Sequence, residues 1–472
     1  MPRWNAGCKG GWRNLLGRSL RSGEAGTRWP PNMPSFTGGL SELNRLRWIR
    51  RLTRMGLATG SLMLPLSVAI TNAAFGLMIA LSLISGDLGR GCRYLWREHR
   101  LLSLAMLFIP LLMLLSLLWS LNPVSGIEKI GHLWFWLLLP ALLPMLRDRR
   151  GQTMVLASLS IGLLLHLGFC VVQATGLGHI VIASAASNPS DPAGLIGHIG
   201  FGFVYSLWAG WLFLEGMRHR GWRRWLPMAI AFWAVCWVFV VQGRGGYLVA
   251  VSIACIILWK ELSHQRRMIR PGWYAFAILG MLAMGIWGPG HERIMQTWTQ
   301  LQQASQGQVR HSDARIPLWI ASVKAWEASP WLGYGTGSFK SVSMKMAELY
   351  PELRTAQTPT LAHPHNIYLL ALVREGIPGL FALLLLLGAW IRTGIRIDWI
   401  TRPEGYLIAA PALALAINGM TSSSLEEHYS GIIAILFLGC GLAMWRPLSP
   451  VDGQAADSEG PSDADAPDRR SR

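Results

Sequence analysis

Charge is scarce in this chain of 472 residues. Asp, Glu, Lys and Arg supply 14% of it against 51% hydrophobic residues, and the mean hydropathy is +0.33. That balance excludes a soluble domain, in which about a quarter of the residues are charged. Cysteine is scarce as well. The six (Cys8, Cys92, Cys170, Cys236, Cys255 and Cys440) have no metal-ligand spacing and none lies in the longest polar segment, so neither a zinc site nor a disulfide framework is indicated. No cleavable signal peptide is expected either, because the first apolar stretch begins late and lacks a small-residue cleavage site.

What the chain does have is long apolar runs. A helix needs about 20 apolar residues to cross a bilayer, and such stretches recur from Gly56 to Trp445 with short polar breaks. The expected fold is an all-α polytopic membrane protein with about twelve transmembrane helices. They fall at roughly 56–70, 71–86, 101–119, 131–146, 152–173, 194–215, 225–241, 247–260, 272–289, 366–391, 405–420 and 429–446. Residues 56–446 then form one integral domain with a single long, helix-rich polar loop over about 290–365. The basic segment 1–55 and the Asp-, Ser- and Pro-rich segment 447–472 read as disordered tails.

A net charge of +18 would suit nucleic acid, but its placement points to a membrane instead. Basic clusters follow alternate spans: Arg90, Arg93 and Arg97; Arg147, Arg149 and Arg150; Arg218, Arg220, Arg223 and Arg224; Lys260, Arg266, Arg267 and Arg270; Arg392, Arg396 and Arg402. This is the positive-inside pattern, which puts those loops and both termini in the cytoplasm and the long loop outside. The loops 174–193 and 421–428 contain no Lys or Arg. Cations on the outer side are therefore not needed for orientation, and they include Lys129, Arg244 and, in the long loop, Arg315.

Three constellations on that side could carry chemistry. Gln242-Gly243-Arg244-Gly245-Gly246 puts one guanidinium among glycines in a short turn between spans. Arg offers a planar fork for phosphate oxygens, and glycine lets backbone N–H groups approach the same anion; the competing reading is an interfacial Arg reaching to lipid headgroups. In the long loop, Asp313 can cap a helix opened by Arg315, with Trp319, Val323 and Trp326 at helical spacing and an end near Ser329-Pro330. A cation opposes the helix dipole there, so Arg315 reads as an anion ligand or a solvated side chain. The following Gly333-Tyr334-Gly335-Thr336-Gly337 reads as a plain turn or an anion cradle.

The third is His363-Pro364-His365-Asn366, at the start of an apolar run. Imidazole titrates near neutrality, with a reference pKa of about 6.5, and can take a proton from a hydroxyl. Pro364 suits the first position of a helix, which would put His365 and Asn366 in the first turn near Tyr368, where the dipole favours a neutral imidazole and a nearby diphosphate. Ordinary interfacial histidines are the alternative. Gly376-Ile377-Pro378-Gly379 should break or kink this helix. The first outer loop carries Glu128 but no paired carboxylates, so a metal-dependent glycosyltransferase is disfavoured and no metal or cofactor is expected.

At these residues the chain resembles the O-antigen ligase family, whose membrane fold is shared by O-antigen polymerases and bacterial O-linked oligosaccharyltransferases. The ligase signature of His, then Asn, Ser or Gln, nine residues, Gly, two residues and Gly, Thr or Tyr is met by His365, Asn366, Gly376 and Gly379. Arg244 matches an arginine-glycine turn, and Arg315, Trp319, Pro330, Gly333, Gly335, Gly337 and Phe339 match an R-x-x-x-W helix followed by P-x-x-G-x-G-x-G-x-F. The resemblance implies a GT-C-like fold, a Gram-negative inner-membrane location and an active site at the periplasmic face. It also implies polysaccharide transfer from an undecaprenyl-diphosphate-linked glycan donor to a lipid A-core acceptor among membrane lipids, with no nucleic acid. His365 would be the general base, and Arg244 and Arg315 would hold the diphosphate. His363, Asn366, Tyr368 and Lys129 are auxiliaries, and Gly376 and Gly379 are structural. A polymerase or a protein O-oligosaccharyltransferase of the same fold, or a lipid or polysaccharide transporter, are the alternatives.

Overall fold

The computed structural model describes residues 36–176, 189–241, 243–263, 280, 291–305, 315–354, 363–399, 401–423 and 425–446, and among these every regular element is helical. The chain divides into two compact units, 1–48 and 49–472. Residues 36–55, which composition assigns to a tail, lie in helix α1 (Phe36–Met63). The expected tails 1–35 and 447–472 and most of the expected span 272–289 fall outside the described residues.

Among the described residues six helices are long and apolar enough to cross a membrane: Arg100–Trp119, Arg149–Ala174, Gly197–Arg218, Gly221–Val240, Ile367–Ile395 and His428–Trp445. A seventh span is possible if α2 (Val68–Ile84) and α3 (Asp87–Glu98), bent by 85°, count as one. This supports a polytopic membrane protein but not the expected twelve spans. Two shortfalls have local causes. The stretch expected at 131–146 forms a short 3-10 turn over His132–Leu137 and only five helical residues, Leu138–Leu142. Pro140 and Pro144 lack N–H groups and cannot continue the ladder. The helix Glu404–Asn418 is apolar but has only 15 residues, about 22 Å at 1.5 Å per residue.

Arg100–Ser116 is α4, Pro123–Gly131 α5, Leu138–Leu142 α6, Arg149–Ala174 α7, Gly197–Arg218 α8, Trp225–Val240 α9 and Arg244–Ser263 α10. His291–Ser305 is α11, Arg315–Ala328 α12, Phe339–Leu349 α13, Ile367–Ile395 α14, Glu404–Asn418 α15 and His428–Trp445 α16. The centre is α8 and α16, whose apolar windows are 72% and 78% buried, against 28% for the α4 span. Small residues let the backbones meet. A methyl group on Gly202 would lie 2.2 Å from the Gly246 Cα, so α8 and the start of α10 touch main chain to main chain. Tyr406 of α15 donates its hydroxyl to the Leu207 carbonyl of α8 at 2.8 Å, and the Trp390 indole of α14 donates to the Ile408 carbonyl at 2.7 Å.

The two ends of this bundle differ in charge. At one end Arg54 pairs with Asp148 and Arg446 with Glu98. There Lys260, at the end of α10, donates to the Ile395 and Ile397 carbonyls where α14 stops, a favourable place for a cation. The other end collects the starts of α8, α10, α14 and α16, and every candidate group described below lies there.

Candidate active site

Asn366, not Pro364, sets the start of α14. Its Oδ1 accepts the N–H groups of Tyr368 and Leu369, each at 3.0 Å, and its Nδ2 donates to the Met420 carbonyl at 3.2 Å. The Ile367 N–H donates to the Gly419 carbonyl at 2.8 Å. The helix therefore begins later than Pro364 implied, and His365 lies just before the cap rather than in the first turn. These bonds also occupy the N–H groups that an anion at the helix end would need, and the Tyr368 hydroxyl is spent on the Ala416 carbonyl at 2.7 Å.

His365 has φ +54°, the one positive value for a residue other than glycine among the described residues. A side chain in that region costs about 1–3 kcal/mol and persists where its surroundings impose it. They do so from two sides. The His365 N–H points at His363 Nδ1, 3.4 Å away, and the two rings meet edge to face at 4.4 Å. Between them the Pro364 carbonyl accepts the Trp319 indole N–H of α12 at 2.9 Å. Burial lowers the His363 pKa; the nearby Glu426 carboxylate opposes that and Lys129 reinforces it. His363 is thereby held neutral, the form that can accept from the His365 N–H.

Glu426 leads to a group that the sequence reading passed over. Arg374 and Glu375 of α14 are 4% and 6% exposed. Arg374 Nε donates to Glu375 Oε1 at 3.2 Å and its Nη1 donates to Glu426. Thr336 donates its hydroxyl to the same Glu375 oxygen at 2.6 Å and lies 2.8 Å from the Ser116 hydroxyl. The cluster borders a cavity of about 50 Å³ between α4 and α14. The available signal was Arg374-Glu375 inside an otherwise apolar run, because ionisable residues in a membrane helix are seldom idle.

Thr336 belongs to the glycine-alternating segment, and the geometry resolves that segment as a turn that repairs the break in α14. Pro378 has no N–H to give the Arg374 carbonyl, and Gly376, at φ 66° and ψ −152°, is not helical. The Ile377 N–H turns away to the Pro330 carbonyl at 2.9 Å. Tyr334 and Gly335 supply the missing donors, reaching the Val373 carbonyl at 2.9 Å and the Arg374 carbonyl at 2.7 Å. The donors proposed for an anion are thus used on protein. A Cβ at Gly376 would lie 2.4 Å from the Trp331 carbonyl oxygen, so this close approach needs glycine.

Arg244 opens α10, and its Nη1 donates to Gln300 of α11 at 3.1 Å. The glycines around it have packing duties: a Cβ on Gly243 would meet the His198 carbonyl at 2.4 Å, and one on Gly245 would meet Thr421 Oγ1 at 2.6 Å. The Gly246 N–H is spent on the Gly243 carbonyl at 2.9 Å. Arg315 is half-buried at the start of α12, while its expected cap Asp313 lies outside the described residues. The buried residues of α12 are Pro317, Leu318, Ala321, Ser322 and Ala325, beside the helically spaced Trp319, Val323 and Trp326. Its alanines pack with Leu370 and Val373 of α14, which leaves the Trp319 indole to reach Pro364.

One connection joins these pieces. Between α15 and α16, residues 418–428 touch Gly245 through Asn418 and Thr421, Ile367 through Gly419, Asn366 through Met420, and Arg374 through Glu426. The chain neighbours of Arg244 and His365 are thus packed on one short segment, whose Glu426 acts electrostatically on His363 as Lys129 does; Arg315 lies one helical turn before Trp319, whose indole bonds Pro364. A family model described as O-Antigen ligase matches residues 229–384. Over that segment, about a third of its length, the chain is similar to the O-antigen ligases. The match supports ligase- or polymerase-type activity. The ligase-family segment holds Arg244, Arg315, both histidines, Arg374 and Gly376, whereas Lys129, His198 and Glu426 lie outside it. No curated protein matches the chain.

Proposed function

We propose that this protein is an O-antigen ligase that moves a polysaccharide from undecaprenyl diphosphate to a sugar hydroxyl of lipid A-core, without a metal and with inversion. The observation that carries the reading is that residues 418–428 pack against both Gly245, next to Arg244, and Asn366 and Ile367, next to His365, within the segment that resembles the O-antigen ligases. In the proposed step His365 takes the proton from the acceptor hydroxyl, and the oxygen forms a bond to the anomeric carbon. The bond from that carbon to the diphosphate oxygen breaks, and undecaprenyl diphosphate leaves with the electron pair. Arg244 and Arg315 compensate its charge, with Lys129 nearby, and Arg374 keeps the helix under His365 in place. A positioned base contributes about 10²–10⁴ in rate, and cations at developing charge add to that. The charge pattern of the loops supports a periplasmic site in a Gram-negative inner membrane, with both termini cytoplasmic.

The test is a purified reaction in chelator with undecaprenyl-diphosphate glycan and three acceptors in parallel: lipid A-core, a second lipid-linked glycan and a pilin. Sugar on lipid A-core is the expected outcome. Transfer to the second glycan or the pilin instead would make the protein a polymerase or a protein transferase. No transfer to any of them would turn attention to transport.

A further inference from the structure

Another histidine has its carbonyl and Cβ against Gly243, the residue before Arg244. His198, near the start of α8, presents its Nδ1 to Asp191 Oδ2 at 3.1 Å, and its side chain is 45% exposed while that of Asp191 is 18% exposed. We propose that His198, oriented by Asp191, binds the acceptor sugar by accepting a hydrogen bond from one of its hydroxyls at Nε2, an assignment that rests on the glycosyl-transfer reading above.

The chemistry follows from the pair. An ionised carboxylate only accepts, so the proton of a neutral imidazole lies on the Nδ1 facing Asp191, and the lone pair lies on Nε2 across the ring. A lone pair suits a hydroxyl and repels a phosphate oxygen, so this imidazole matches the incoming sugar and not the diphosphate. An exposed pair of this kind contributes about 0–1 kcal/mol to stability, which leaves the elaborate fixing of Asp191 unexplained by folding alone. The Asp191 carbonyl accepts the Ala193 N–H at 2.8 Å, and the adjacent Pro192 carbonyl accepts the Trp237 indole at 3.2 Å. The Gly194 N–H donates to Gln173 at 2.9 Å and the Leu195 N–H to buried His166 at 3.1 Å.

Position agrees with chemistry. The His198 carbonyl lies against Gly243, next to Arg244. The nearby Glu427 carboxylate is taken up by protein hydroxyls, accepting from Ser422 at 2.8 Å and from Ser430 at 3.4 Å.

Steady-state kinetics with donor and acceptor varied separately test this. In His198→Ala the acceptor KM should rise about tenfold, the loss of one hydrogen bond, with the donor KM and the melting temperature unchanged. His198→Gln, which offers an amide oxygen, should recover part of it, and Asp191→Asn should lie between. An unchanged acceptor KM in His198→Ala would overturn the assignment, as would a rise in the donor KM alone. A melting temperature that falls in step with activity in both His198→Ala and Asp191→Asn would make the pair a structural tie and overturn it too. Wild-type transfer to lipid A-core separates these results from a failure of the ligase reading, which would show as no transfer in the parent protein.

Discussion

The strain at His365 makes a sharp residue-level prediction. Glycine tolerates φ +54° at no steric cost, so His365→Gly should leave thermal stability equal or higher by up to about 1 kcal/mol while abolishing transfer. Retained transfer, measured by glycan ladders on lipopolysaccharide, would remove His365 from the base role. Arg244→Lys should lose much of the activity, since an ammonium cannot make a two-pronged contact with a diphosphate; full activity would reduce Arg244 to a simple charge. Arg374 belongs to a different class. Arg374→Met strands Glu375 and Glu426 at a cost of about 3–5 kcal/mol, so the prediction is loss of folded protein, read by thermal melting in detergent. The types and order of His365, Arg244 and Arg315 were legible in the sequence because imidazole and guanidinium chemistry is local to each residue. The pairing of Arg374 with Glu426 was not legible, because it joins positions brought together only by α14 and α16.

At the scale of elements, the break in α14 could be read from Gly376 and Pro378, and the turn from its alternating glycines. Their mutual repair could not, since it consists of bonds between Tyr334, Gly335 and carbonyls far along the chain. Gly376→Ala should therefore disturb both partners. Hydrogen exchange should quicken at Tyr334 and Gly335 as well as at Ile377; protection lost on one side alone would contradict the shared bonding. The histidine approach to α14 has its own pH signature. Burial sets the folded pKa of His363 below its unfolded value, about 6.5, so the stabilising neutral form is complete above that value. As the pH falls through the folded pKa the ring protonates, stops accepting from the His365 N–H, and the stability of this segment is lost. Local exchange at His365 should rise on acidification in the parent protein and change less in His363→Gln.

For the molecule as a whole, hydropathy identified the polytopic class, and among the described residues six of the expected twelve spans recur as membrane-length helices, because crossing depends on unbroken hydrogen bonding as well as on apolar content. Residues 131–146 are apolar enough, yet Pro140 and Pro144 divide them. The charge asymmetry seen in the loops reappears as ion pairs at one end of the bundle and as the imidazole-rich collection at the other. The shared bonding at Gly376 leaves the two parts of α14 unequal. The upstream part of α14 takes hydrogen bonds from a polar turn, while the part beyond Pro378 closes its own. The helix beyond Pro378 therefore needs nothing from residues 330–337 to complete its own ladder, whereas the stretch before Gly376 is finished only when that turn docks.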